Sequence, residues 1–563
     1  MCGIWGIFGY EKDSVQHCDC TFYNIRHRGP DAWRIQFDSK IKNACIGFVR
    51  LSIVDSVYGM QPMILHAYPH LTLVCNGELY NYKTLGEKRK FNYETKCDVE
   101  LIIQLYGQTG SIEETVKHLD GVFSFALVDS AEKKLYLARD PYGVRPLFTL
   151  ETDSGILGFS SEGKGLIEFG KNYVNGGKWK LKQFPPRSFQ TYDILDDGKV
   201  KLVETKEYYN VGDTPAFPLY VSPEDISGDV LANIRTLLTA AVKKRLMAER
   251  RIGCLLSGGL DSSLIASLLV KLAKEVNLPY KIQSFSIGMD SSPDLVAARQ
   301  VAKHLGTDHH EVIFTEDDVA DCLDSVIRTL ETFDITTIRA SIGMYILSRY
   351  IKNETDTTVI MSGEGADELL QGYIYFRNAP SDEKAHAESL RLLKDIYLYD
   401  GLRADRTTAG HSLELRVPFL DLQFTSYILS LPIEMKRPVN GVEKHLLRTA
   451  FQDTGLIPDN ILWRHKEAFS DGVASKKKSL FEVLQEIAAK RIKPDTKNVL
   501  QGQYSHLPPR NTEALYYRKI FEKNYGGQAE NLTPYYWMPK WCEVDDPSAR
   551  FIKSYAAETE LAD

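Results

Sequence analysis

Through the first third of the chain the apolar positions come in short, dense runs at 44–49, 71–75, 122–128 and 134–138, and the polar stretch DSAEKK at 129–134 interrupts two of them. Runs of that length read as strands, and the polar stretch reads as a hairpin turn. A helix is expected over 99–105. Further on the period changes. Val230, Leu231, Ile234, Leu237, Leu238, Ala241 and Val242 fall on one face of a helix over 226–247, which feeds an apolar strand at 252–256. Strands at 282–287, 310–314 and 357–361 then alternate with helices at 294–305 and 319–330. Such alternation predicts a parallel sheet with helices on its faces. Ligands of these sheets bind beyond the C-terminal strand ends, which is where Ser257 and Asp261, Ser286 and Ile287, and SGEGADE (362–368) fall. Three strand ends should therefore open on one crevice.

Between 196 and 224 the pattern loosens, and Pro215, Pro218 and Pro223 make a regular element unfavourable there. This places a junction near residue 210 and divides the chain into 1–210, 211–525 and a partly irregular tail, 526–563. The tail holds YYWMPKW, a segment expected to dock by its aromatics, and its last ten residues read as frayed. A length of 563 residues suits two or more domains, and 43% apolar with 25% charged residues is ordinary for a globular protein. The net charge of −7 argues against a nucleic-acid surface. There is no membrane-length apolar run and no signal-peptide pattern at the start. Nine cysteines lack zinc-like or disulfide-framework spacing, and Cys18 and Cys20 are too close for a zinc pair. Reduced thiols and a cytoplasmic location are expected.

Two stretches carry chemistry. RIGCLLSGGLDSS (251–263) is a strand that breaks at two glycines and re-enters as a helix. That turn aims several backbone N–H groups, and the positive end of the helix dipole, at one point, which favours a phosphate. Asp261 beside an anion calls for a bridging divalent cation, and magnesium suits its hard oxygens. No Gly-Lys-Ser/Thr follows, so this is not a Walker loop. At the other end, Cys2 follows Met1, with Gly3 and Gly6 leaving the backbone open around it. Removal of Met1 would give one residue both a thiol and a free α-amine of pKa about 7.7–8.0 to take its proton. If Met1 stays, that base is lost. On its own Cys2 also reads as an incidental small residue.

With Cys2, the strings RHRGPD (26–31), RLSIVD (50–55), NGELYN (76–81), RDPYGVRPLF (139–148) and SSEGKGL (160–166) resemble the class II glutamine amidotransferase domain of the N-terminal nucleophile hydrolases. That resemblance implies an α+β sandwich of two antiparallel sheets between helix layers. FPPR (184–187) stands where relatives commonly show Phe-Pro-Pro-Gly, so its turn should be constrained. SGGLDSS resembles the loop of the ATP pyrophosphatases and implies an α/β domain with a mostly parallel sheet. SFSIGMDSSPDL (284–295), HLGTDHHE (304–311), ETFDITTIRAS (331–341), SGEGADE, RVPFLD (416–421), EKHLLR (443–448) and RHKEAFSDGV (464–473) extend the likeness, collinear over about 1–525, to the glutamine-hydrolysing asparagine synthetases.

The resemblance implies residue roles. Cys2 attacks glutamine, and the Asn76 side chain with the Gly77 N–H holds the oxyanion, where one donor is typically worth about 10²–10³ in rate. Glutamine is bound by Arg50 through its carboxylate, by the loop Leu51, Ser52, Ile53 and Val54, and by Asn76, Gly77, Glu78 and Asp98. ATP lies against Leu255, Ile287, Ser362 and Gly363, its phosphates on Ser257, Gly258, Gly259 and Ser262. Magnesium sits with Asp261 and Asp367, and Lys444 neutralises charge on the leaving pyrophosphate. Thr336, Thr337 and Arg339 hold aspartate. Glu364 is the base for the attacking ammonia, which reaches the second domain by an apolar passage. His309 and His310 read as structural. Taken singly, Arg50 also reads as a surface arginine, Asp98 as a helix cap and Glu364 as a helix-start carboxylate. The expected activity joins ATP, aspartate and glutamine to give asparagine, AMP and diphosphate through β-aspartyl-AMP. The alternatives are another acceptor acid or an inactive regulatory relative. The partners are small molecules, and a homodimer is compatible with the sequence.

Overall fold

The computed structural model describes residues 1–10, 18–174, 178–213, 228–466, 472–474, 478–493 and 502–548. The three linker prolines, the last ten residues and the side chains of Cys18 and Cys20 lie outside the described residues. The chain divides into two compact units: Met1–Val221 with Met247–Arg250 and Ala409–Glu414, and Ser222–Leu246 with Arg251–Thr408 and Leu415–Asp563.

The first unit contains β1 (Gly3–Phe8), β2 (Ala32–Phe37), β3 (Ala44–Arg50), β4 (Leu71–Leu79), helices α1 (Tyr82–Arg89) and α2 (Glu100–Thr109), then β5 (Gly121–Asp129), β6 (Lys134–Arg139), β7 (Phe148–Thr152), β8 (Leu157–Ser160), β9 (Trp179–Gln183), β10 (Ser188–Ile194) and β11 (Val200–Glu207). The strands form two antiparallel sheets, in the orders β2-β3-β1-β8-β7-β9 and β11-β10-β6-β5-β4. Strand β5 explains why its run is unbroken rather than alternating. Phe123, Phe125 and Leu127 pack toward Leu101, Ile102 and Leu105 of α2, while Ala126 and Val128 join Ile4, Phe48 and Phe159 of the other sheet. Both faces are covered, so both must be apolar. The FPPR turn keeps a left-handed residue without glycine: Arg187 has φ 53°. Its backbone N–H donates to Asp140 O at 2.9 Å and its side chain pairs with Glu207 at 2.6 Å.

Two short returns of the chain complete this unit. The Glu249 carboxylate accepts the Asp55 and Ser56 N–H groups, each at 3.1 Å, and Arg250 pairs with Asp31 at 3.0 Å. Ser412 donates to His27 O at 2.6 Å, and Leu413 O accepts the Met1 ammonium at 3.2 Å.

The second unit opens with α3 (Val230–Lys244), capped by Asp229, whose carboxylate accepts the Ala232 N–H at 3.0 Å. Ile234, Leu237, Leu238, Ala241 and Val242 of the expected set are buried with Asn233, while Val230 and Leu231, in the first turn, are half-buried. There follow β12 (Arg251–Leu255), α4 (Leu260–Glu275), β13 (Gln283–Gly288), α5 (Pro293–Leu305), β14 (Asp308–Ile313), α6 (Glu316–Leu330), α7 (Ile335–Glu354), β15 (Thr357–Met361), α8 (Ala366–Leu369), α9 (Asp400–Ala409), β16 (Glu414–Arg416), α10 (His445–Phe451) and α11 (Thr512–Tyr525). The sheet order is β14-β13-β12-β15-β16, and its first four strands are parallel. Because β13, β12 and β15 are neighbours running the same way, their C-terminal ends share one edge. Beyond residue 525 the chain packs within this unit: Tyr375 and Phe376 meet Trp537 and Trp541. Among the described residues no helix is long and apolar enough to cross a membrane, and seven cysteines are free thiols.

Candidate functional site

In the first unit, β1 places Cys2 beside the end of β3, since Gly3 pairs with Val49. The Leu51 N–H donates to the Cys2 sulfur at 3.4 Å, and the thiol reaches Leu51 O at 3.5 Å. Arg28 donates to Cys2 O at 2.9 Å and is itself held by Glu162 at 2.6 Å. Burial raises the Glu162 carboxyl, but His27, Lys164 and Arg28 outweigh it and hold the group well below its usual range. Met1 is fully buried, its thioether against Arg28 and Arg145. Burial pushes its ammonium down to about 5, against the pull of Glu414. Burial likewise pushes the Cys2 thiol up to about 11, against the nearby ammonium and the Leu51 N–H. With Met1 in place the thiol is therefore a poor nucleophile.

Asn76, Gly77 and Glu78 lie at the far end of β4, paired with Ser124, Phe123 and Val122 of β5. A Cβ on Gly77 would stand 2.5 Å from Val122 O, so only glycine fits there. The Asn76 Nδ2 group is buried without a hydrogen-bond partner among the described residues, as is the Ser52 hydroxyl. An unsatisfied buried donor is costly, and its presence here points to a ligand. Arg50 is buried and donates to Ser56 O at 3.2 Å and to Asp55 O, while Asp98 accepts the Leu79 N–H at 2.6 Å. Ile53 accepts the Glu249 N–H at 2.8 Å; Leu51 is buried and Val54 half-buried.

In the second unit a cavity of about 290 Å³ opens at the shared strand edge. Leu255, Ser257, Gly259, Asp261 and Ser262 line it after β12, Ile287 at the end of β13, and Ser362, Gly363, Glu364 and Asp367 after β15. Thr336, Arg339 and Lys444 of the expected set also lie on its wall, whereas Gly258 and Thr337 do not. Gly258 sits behind the loop at φ 74°, where a Cβ would fall 2.4 Å from Ala298 N. The Ser257 and Ser262 hydroxyls meet at 3.0 Å and close the turn. A Cβ on Gly363 would stand 2.8 Å from the Asp261 Cβ, so that glycine lets the two loops touch. Lys444 lies between Asp261 and Asp367 Oδ1, the latter at 2.6 Å, and Lys466 reaches Asp367 Oδ2 at 2.6 Å. Burial opposes ionisation of Asp367, yet the two lysines hold its carboxyl well below its usual range. Asp261 Oδ1 is buried and has no hydrogen-bond partner among the described residues.

The Asparagine synthase family matches residues 233–386 and 376–543, and the Glutamine amidotransferase domain family matches residues 1–190. The asparagine synthetase [glutamine-hydrolyzing] of Gallus gallus is 52% identical, with 99% of each chain covered. That of Homo sapiens is 50% identical, again over 99% of each chain. The chain belongs to the asparagine synthetase family. A solved structure described as the allosteric regulatory enzyme of purine biosynthesis is 16% identical over 56% of this chain and 90% of that one, with a TM-score of 0.32.

The asparagine synthetase fold also recruits side chains that the motifs leave unassigned. Glu364 accepts from Arg403 of α9 at 2.7 Å, and Arg403 also pairs with Asp400 at 2.8 Å. Burial raises the Glu364 carboxyl, Asp400 adds to this and Arg403 opposes it. Tyr373 donates to Glu368 and Asp400 at 2.7 and 2.8 Å. Lys466 belongs to the RHKEAFSDGV string, so a basic residue there was a usable signal. Arg403, Asp400 and Tyr373 carried none. Thr337 turns from the cavity to the cap of α7, where its N–H and hydroxyl both donate to Asp334 Oδ1 at 2.8 Å. Thr336 donates to Trp537 O at 3.4 Å. His309 bridges the Ser284 and Ser286 hydroxyls at 2.8 and 3.2 Å, in keeping with a structural role.

Proposed function

We infer that the protein makes asparagine, converting ATP, L-aspartate, L-glutamine and water to AMP, diphosphate, L-asparagine and L-glutamate. The observation that carries this reading is the meeting of the SGGLDSS loop, the SGEG turn and Lys444 on one cavity. It occurs in a chain half identical, end to end, to asparagine synthetases.

In the first unit, removal of Met1 turns the Cys2 nitrogen into a free amine that takes the thiol proton, directly or through water. The thiolate attacks the glutamine amide. The developing oxyanion is received by Asn76 Nδ2, which has no hydrogen-bond partner among the described residues, and by the Gly77 N–H. Arg50 binds the glutamine carboxylate, while Glu78 and Asp98 bind its ammonium. Ammonia leaves, and water releases glutamate from the sulfur.

In the second unit the loop 257–262 receives the ATP phosphates. Asp261 and Asp367 fit a magnesium ion: one buried oxygen of Asp261 is unpartnered among the described residues, and Lys444 already marks the space between the two carboxylates as a cation position. No group of three or more His, Cys, Asp or Glu side chains suits a metal among the described residues, so phosphate oxygens would complete the shell. When bound, the ion supplies charge neutralisation on the polyphosphate. The β-carboxylate of aspartate attacks the α-phosphorus of ATP, the bond from that phosphorus to the bridging oxygen breaks, and Lys444 and Lys466 balance charge on the departing pyrophosphate. Thr336 and Arg339 face the aspartate; ammonia attacks the β-aspartyl-AMP carbonyl, Glu364, with its raised carboxyl, takes a proton from the attacking nitrogen, and AMP leaves as the amide forms. A cytoplasmic location accords with the free thiols.

The test compares asparagine yield from glutamine and from free ammonia in the parent and in Cys2→Ala. The variant is expected to lose the glutamine-driven reaction by about 10³-fold or more and to keep the ammonia-driven one. Equal loss of both would defeat the division of labour.

A further inference from the structure

Arg339 lines the cavity, but its guanidinium is already engaged on two sides. Nε and Nη2 donate to Glu513 at 2.8 and 2.6 Å, and Nη1 and Nη2 donate to Asp546 at 2.7 and 2.9 Å. Two carboxylates thus face one cation. They are not equivalent. Glu513 lies on α11, is fully buried, and also accepts the Tyr517 hydroxyl at 2.9 Å. Asp546 comes from the irregular stretch after Trp537, keeps some exposure, and among the described residues otherwise accepts the neighbouring Ser548 N–H at 2.9 Å. Trp537, Pro539, Pro547 and Ser548 of that stretch form part of the cavity wall.

We propose that Asp546 is an internal competitor for the acceptor acid: its carboxylate occupies Arg339 and must yield when a carboxylate of the substrate aspartate binds. The proposal rests on the reading of Arg339 as an aspartate-binding residue. A guanidinium with Glu513 in its fork is charge-balanced, and a third carboxylate added to the pair meets net repulsion. Exchanging Asp546 for a substrate carboxylate trades like hydrogen bonds for like, so the substrate gains little from Arg339 while Asp546 stands there. Glu513 cannot yield without leaving a buried charge unpaired, whereas Asp546 can turn toward water. Asp546 therefore weakens apparent aspartate affinity and restricts the site to acids able to displace it.

The test measures kcat and KM for aspartate, with ammonia as nitrogen donor, in the parent, Asp546→Asn, Asp546→Ala and Arg339→Lys. Both Asp546 variants are expected to lower the KM for aspartate by roughly three- to tenfold, with the KM for ATP and glutamine hydrolysis unchanged. An unchanged or raised KM, or loss of synthetase turnover in both variants, overturns the proposal and makes Asp546 a clamp on the wall. Arg339→Lys separates the two readings. If it leaves the aspartate KM at the parent value, Arg339 does not hold aspartate at all. If it raises that KM while the Asp546 variants do nothing, the site stands and the competitor falls.

Discussion

Glu364 and Arg403 share a hydrogen bond of 2.7 Å, and that bond sets the pH at which the proposed base works. Burial favours the neutral carboxyl, Asp400 adds to it, and the Arg403 charge favours the carboxylate. Removing the cation should therefore raise the Glu364 pKa further, so more hydroxide is needed before the base is formed. Arg403→Met is expected to move the acid limb of ammonia-dependent turnover up by about one pH unit or more, and Arg403→Lys to leave it near the parent's. The measurement is kcat against pH at constant free ammonia and saturating ATP and aspartate. A limb that moves down, or stays put in the Met variant, means another group titrates. The place of Glu364 on the cavity wall was legible because it sits between glycines in SGEGADE. Arg403 was not: it arrives from 39 residues away on α9, and no local pattern announces so distant a partner.

Among elements, the β12–α4 turn is the one whose geometry has no slack. Gly258 adopts φ 74°, and a Cβ there would press on the backbone nitrogen of Ala298, which cannot swing aside as a side chain can. Gly258→Ala is expected to strain the turn by about 1–3 kcal/mol. That should lower the thermal midpoint and raise the KM for ATP, while glutamine hydrolysis continues. A parent-like KM for ATP would show that the phosphates do not need this turn. Elements with a one-sided face were readable before any coordinates: α3, α5 and α6 stand where their spacing put them, and β15 spans the expected 357–361. The helix α7, which carries Thr336 and Arg339, was not foreseen. Ile335, Ile338, Ile342, Met344, Ile346, Leu347 and Ile351 are buried around most of its circumference, so no polar stripe betrays its period.

At the scale of the whole molecule the chain crosses between its units more often than one junction near residue 210 implies. Glu249 and Arg250, just before the SGGLDSS strand, hold the 52–56 loop next to Arg50, and Leu413 receives the chain's first nitrogen. Single residues returning to another unit leave no compositional mark, which is why they were invisible in the linear pattern. On the proposed function the chemistry is divided: the first unit is to supply a thiol, an amine and oxyanion donors, and the second the Asp261 and Asp367 carboxylates beside the SGGLDSS loop. Chelating divalent metal should therefore stop asparagine formation from glutamine and from ammonia alike, by about 10²-fold or more, because the polyphosphate charge is left uncompensated. Glutamate release from glutamine should stay within about a factor of two, since Cys2, Asn76 and Gly77 use fixed dipoles rather than an ion. Both activities are read in one assay, as glutamate and asparagine released with and without excess chelator, and restored by added magnesium. If glutamate release fell in step with asparagine, the ion would be acting on the thiol site or on the fold of the first unit, and the proposal that it sits with Asp261 and Asp367 would fail.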